Sequence, residues 1–213
     1  MTLDLDPERR LALAYVPTSR RAAVEALWRL DVALASVLAT GREPMVSRIR
    51  LAWWREALER LDRAPPPAEP VLEALSARVL PAGVTGAGLA AMTDAWEPLL
   101  SPDPLSEGDL REYAARRGRL FALTAQLLGG GEADGEGWAL IDFARHSSNQ
   151  AEAARALELA RAVAMPVRWP RPLRPLGMLA VLARRDAGLG LPLEPAGSPA
   201  RMMRMVRHRL TGD

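Results

Sequence analysis

Apolar positions recur at three- and four-residue spacing along most of the chain, strict apolar/polar alternation is absent, and valine and isoleucine are sparse. That pattern argues for helices throughout and for no strand. A first helix is predicted over about 20–39, started by Pro17-Thr18-Ser19 and closed by Gly41 and Pro44. A second covers about 47–62 and stops at Pro65-Pro66-Pro67. Helices near 69–79 and 88–100 follow, separated by Pro81-Ala82-Gly83, and a loop over 101–108 with Pro102 and Pro104 leads into a long helix over 109–128. Gly129-Gly130-Gly131 ends it. A helical stretch over 138–164, with a break expected at Ser147-Ser148-Asn149, precedes an extended proline-rich connection over 166–172. A short helix over 176–187 and a tail helix over 201–210 complete the chain, so the expectation is one all-α domain spanning residues 1–213 with a basic tail helix at about 200–211.

Two charges interrupt otherwise apolar faces. Val24, Leu27, Trp28, Leu34, Ala35 and Leu38 form one stripe with Asp31 in its middle. Leu110, Tyr113, Ala114, Leu120, Phe121, Thr124, Leu127 and Leu128 form another that contains Arg117. A buried charge must be paired, hydrogen-bonded or bound to an ion. Asp31 and Arg117 therefore either neutralise each other as a structural ion pair or face a shared cavity in which Arg117 could fork onto a phosphate. Gly118, beside Arg117, permits close approach by a neighbouring element. The second helix is apolar on two sides, with Leu51, Trp54, Leu58 and Leu61 opposite Ile49 and Trp53. It is either sandwiched between helices or lines an apolar channel.

Composition narrows the chemistry. The 213 residues contain no cysteine and no lysine, which excludes thiolate sites, disulfides, Schiff-base lysines and P-loop lysines. His146 and His208, the only histidines, are far apart in the chain, so a histidine-based metal site is not expected. The net charge of +2 hides an asymmetry, because residues 161–213 carry 10 arginines against 3 acids. The tail helix could meet an anionic membrane or a protein partner, or simply pack its methionines on the core. Nucleic acid is not expected as a partner. With no leader-like or membrane-spanning apolar run in view, the expected location is cytoplasmic, with peripheral placement at an inner membrane face as an option.

Three blocks run in a recognisable order: Tyr15-x-Pro17-x-x-Arg20-Arg21-Ala22; Ile49-Arg50-Leu51-Ala52-Trp53-Trp54-Arg55-Glu56-Ala57-Leu58; and Pro70-Val71-Leu72-x-Ala74-Leu75. The Tyr113 helix with Gly118, and Gly137-Trp138-Ala139-Leu140, continue it. This order resembles the squalene/phytoene synthase family. The resemblance implies an all-α, single-domain bundle of the isoprenoid synthase type, whose central cavity holds prenyl diphosphates through magnesium on two aspartate-rich helices. It marks Asp31, Trp53, Tyr113, Arg117 and Arg145 as substrate-binding candidates, Arg20 and Arg21 as diphosphate-binding candidates, and Asp31 as a metal ligand. The chain departs from the pattern at both acidic motifs: Asp31 is alone on the first, with Ala35 where a second acid is expected, and His146 stands in an acid's place on the second. The resulting expectation is a divergent family member without head-to-head synthase activity, serving as a prenyl-lipid-binding or assembly protein and needing no cofactor. A related branch of the family acts as an assembly factor for mitochondrial respiratory complex I, with a similar lone acid. The alternatives are an active prenyltransferase using magnesium-bound diphosphate, and a structural interaction protein with a filled core.

Overall fold

A computed structural model describes residues 4–40, 43–101 and 103–213. Gly41 and Pro102, expected as a helix stop and a loop residue, lie outside the described residues. The fold is all-α, with no strand among the described residues. Its first element was not foreseen: α1 (Pro7–Ala14) begins where Asp6 accepts the amides of Glu8 and Arg9, both at 2.9 Å, and Pro7 occupies a first-turn position that needs no donor.

The central helix is α2 (Thr18–Thr40), which buries Leu27, Trp28, Leu30, Asp31 and Leu34. It packs against α3 (Pro44–Arg60), α4 (Pro70–Arg78) and α7 (Arg119–Leu128). Trp28 Nε1 donates to Thr124 Oγ1 of α7 at 3.0 Å, so this buried indole fixes the register of two helices.

The helix expected over 88–100 is shorter. α5 (Gly86–Ala90) starts early because Asp62 accepts the Gly86 and Ala87 amides at 2.7 and 3.1 Å, and two 3-10 turns, Thr93–Trp96 and Pro98–Leu100, replace the remainder. Likewise the long helix over 109–128 is two, α6 (Glu107–Arg117) and α7, divided at Gly118. A Cβ on Gly118 would lie 2.8 Å from the Glu136 amide nitrogen, so the absent side chain admits the start of α8 (Glu136–His146). The break at 147–149 stands, with Asn149 capping α9 (Gln150–Ala162). The proline-rich connection ends in a 3-10 turn, Arg171–Leu173, before α10 (Arg174–Leu189), and α11 (Pro199–Thr211) closes the chain.

Two further expectations need correction. Ile49 and Trp53, read as sandwiched or as channel lining, are 63% and 46% exposed on the outer face of α3. The tail helix packs Met205, and in part Met202, on the core as one expectation had it, but Met203 is exposed, and Arg201 and His208 turn inward where only methionines were expected. Arg174 donates to the carbonyls of Arg209, Leu210 and Thr211, placing a cation on the negative end of α11.

Candidate functional site

Asp31 and Arg117 meet. The guanidinium of Arg117 forks onto the carboxylate, Nε to Oδ1 at 3.1 Å and Nη2 to Oδ2 at 3.0 Å, with Asp31 only 1% exposed. Arg9, from α1, places Nη1 3.0 Å from the same Oδ2 and also pairs with Asp6 at 3.2 Å. Arg117 reaches onward to Asp142 of α8 at 2.5 Å and contacts the Tyr113 hydroxyl. Two arginines and two aspartates thus form a neutral cluster contributed by α1, α2, α6 and α8.

Aromatic rings enclose it. The Arg117 guanidinium lies 4.8 Å from the ring centroids of both Trp96 and Trp138, and Arg9 lies 5.1 Å from Trp138. Burial alone would push the Asp31 and Asp142 carboxyls up, but the adjoining guanidiniums of Arg117 and Arg9 outweigh it and hold both below the ordinary carboxylate range. For Arg117, burial disfavours the charge, yet Asp142 and Asp31 together secure it. Burial pushes the Tyr113 hydroxyl up, so this phenol stays protonated.

A second cluster adjoins the first. Arg201 of α11 forks onto Glu8 at 2.6 and 3.1 Å, and its Nη1 lies 2.7 Å from each oxygen of Asp186 on α10. Arg145 of α8 adds a 2.8 Å bond to Asp186 and donates to the Glu194 carbonyl at 2.8 Å. Glu8 also accepts the Gly197 amide at 3.0 Å. Burial raises the Glu8 carboxyl and Arg201 more than offsets it, leaving Glu8 below its ordinary range. This cluster, too, is neutral.

Between the clusters lies a pocket of about 60 Å³, lined among others by Arg9, Trp138, Asp142, Arg145 and Arg201. That is room for a few waters, against the roughly 300–1,000 Å³ of ordinary ligand sites. A magnesium ion does not fit the donors. Both Asp31 oxygens are engaged by guanidinium, Ala35 offers no ligand one turn on, and among the described residues no three carboxylates or histidines gather at metal-binding range.

The other residues marked from sequence scatter. Trp53 packs edge-on against Trp54 and borders an open surface groove with Pro65–Pro67 that shares no residue with the central pocket. Arg20 is exposed, and Arg21 donates to the carbonyls of Ala14 and Val16 at 2.9 and 3.1 Å, closing the end of α1. Sequence reasoning missed Glu8, Arg9, Asp142, Asp186 and Arg201. The Asp6-Pro7-Glu8 start signal could have revealed α1, and Asp186 continues the buried face of Leu179, Leu182 and Ala183 at helical spacing.

The squalene/phytoene synthase family model matches residues 5–170 of the 213. No curated protein and no solved structure matches the chain. The matched region contains Asp31, Arg117, Asp142 and Arg145, whereas Asp186 and Arg201 lie beyond it.

Proposed function

The chain belongs to the squalene/phytoene synthase family, and on that premise we propose that it is a non-catalytic assembly or scaffold protein. Prenyl diphosphates are the substrate class the family implies in general, and their activation requires an ion that neutralises the departing diphosphate. In this reading Arg117 and Arg9 occupy the role of that ion toward Asp31, and the helical framework is kept for its shape. The carrying observation is the closed, neutral Asp31–Arg117–Arg9–Asp142 cluster beside a pocket of about 60 Å³. A fixed guanidinium stabilises a carboxylate but cannot exchange it for diphosphate without stranding a buried charge.

Incubation with farnesyl or geranylgeranyl diphosphate and magnesium is expected to release no diphosphate above a protein-free control. Magnesium-dependent release would overturn the reading in favour of a transferase, and its loss in Asp31→Asn would assign the residue. Native mass spectrometry is expected to find the bare chain mass, because a prenyl chain has no internal space of its size at the centre.

A further inference from the structure

α3 carries an apolar ridge that the fold leaves uncovered. Met45, Ile49 and Trp53 follow one another at four-residue spacing with 60%, 63% and 46% exposure, and Val46 at 39% widens the ridge. The opposite face, with Ser47, Leu51, Trp54 and Leu58, is buried. Burying the ridge as well would need a partner outside the described chain.

The charge beside Met45, Val46 and Ile49 is basic, whereas Glu56, at seven-residue spacing from Ile49, lies on the line of the ridge beyond Trp53 and ends it. At about 3.6 residues per turn, Arg48 falls on one flank and Arg50 on the other. Arg48 donates to the Leu100 carbonyl at 3.4 Å and Arg50 to the Thr40 hydroxyl at 3.3 Å, and among the described residues neither meets a carboxylate. Arg55, by contrast, is neutralised by Asp94 and Glu59. Glu43 before the helix and Glu56 after Trp53 bound the stretch, and no acid lies between them.

We propose that this ridge docks residues 44–54 of α3 in the plane of an anionic phospholipid surface, with Met45, Ile49 and Trp53 in the acyl boundary and Arg48 and Arg50 at the phosphates. A helix with a large apolar side flanked by arginine sinks about 5–10 Å into that boundary, where tryptophan is favoured. A fluid bilayer accepts a convex ridge without a shaped cavity. A protein partner is served less well: the ridge offers a few hundred Å² of apolar area, against the roughly 800 Å² per side of a stable protein interface. The proposal holds whether or not the buried centre is catalytic.

Trp53 is the one exposed tryptophan of six, the others being at most 9% exposed, so it reports on its own contact. The full chain is expected to float with vesicles of phosphatidylcholine containing about one-third phosphatidylglycerol and not with phosphatidylcholine alone. Brominated lipid should quench wild-type fluorescence and spare Trp53→Phe. Ile49→Glu should weaken binding about tenfold or more, and Arg48→Gln or Arg50→Gln roughly fivefold each. These sites are exposed, so thermal melts of the variants should match wild type, and Met203→Glu on α11 should bind as wild type does. Absence of flotation with the anionic vesicles would overturn the proposal. Binding lost in Met203→Glu but kept in Ile49→Glu would overturn it as well. A concentration-dependent dimer dispersed by Ile49→Glu would instead assign the ridge to a second copy of the chain.

Discussion

The two buried clusters are built alike and anchored differently. Each balances two arginines against two acids, and each takes one residue from α1, Arg9 in the first and Glu8 in the second. The first lies within the family-matched region, its four members on four helices and its guanidiniums against Trp96 and Trp138. The second is completed from beyond that region by Asp186 and Arg201, and leans on loop backbone through the Gly197 amide and the Glu194 carbonyl. One is a sealed centre that joins four helices. The other is a clasp that fastens the C-terminal helix to the N-terminal one.

Their responses to losing one partner should differ in kind. Asp31→Ala leaves Arg117 and Arg9 in an aromatic enclosure with half-buried Asp142, and for Arg9 the exposed Asp6, as their remaining acids. A guanidinium cannot shed its charge at any relevant pH. The expected loss is about 3–5 kcal/mol of unfolding free energy, a large share of the roughly 5–15 kcal/mol that a domain commands. Urea denaturation measures it. A loss under about 1 kcal/mol would mean that the first cluster holds little of the fold together.

Arg201→Met removes the link between Glu8 and Asp186, yet each retains a partner, the Gly197 amide for Glu8 and Arg145 for Asp186. A stranded carboxyl can also take up a proton, as a stranded guanidinium cannot lose one. The global loss should be smaller, about 2 kcal/mol, and concentrated in α11. Hydrogen exchange should quicken over residues 199–211 while α2 stays protected. Uniform acceleration across both helices would show that the two clusters act as one.

The sequence disclosed these centres unevenly, for physical reasons. Asp31 and Arg117 were legible because each places a charge on an apolar helical stripe, and the cost of burying it requires a partner. Arg201 was not, because in a tail crowded with arginines one buried guanidinium has the same local signature as its solvated neighbours. Its partner Glu8 lies 193 residues away, and no local pattern encodes a pairing across that distance. Trp53 misled for the converse reason. Helical periodicity places it on a second apolar face, but an apolar face is the same in sequence whether a helix covers it or solvent meets it. The fold class was the most readable feature, since three- and four-residue periodicity persists through nearly every helix. Its breaks at Gly118 and near Gly86 depend on contacts with Gly135–Glu136 and Asp62 that only the folded chain supplies.

Acid titration offers the smallest and most selective separation. Asp31 and Asp142 in the first cluster, and Glu8 in the second, are held below their unfolded values near 4 by arginine partners that outweigh burial. A carboxyl depressed in the folded state contributes its full stabilisation above its unfolded pKa and loses it as pH falls through the folded value. Stability should therefore be flat in this respect from about pH 7 to 5 and decline below about pH 4 as protons break the arginine pairs. Asp142→Asn removes one titrating partner from the first cluster, and Glu8→Gln one from the second. Both variants start less stable at neutral pH, and both should show a shallower acid decline in thermal melts between about pH 5 and 3. The flattening should be greater for Asp142→Asn, because Asp142 is held by two guanidiniums and aided by nearby His146, whereas Glu8 relies chiefly on Arg201. Equal flattening would erase the distinction between a sealed centre and a clasp.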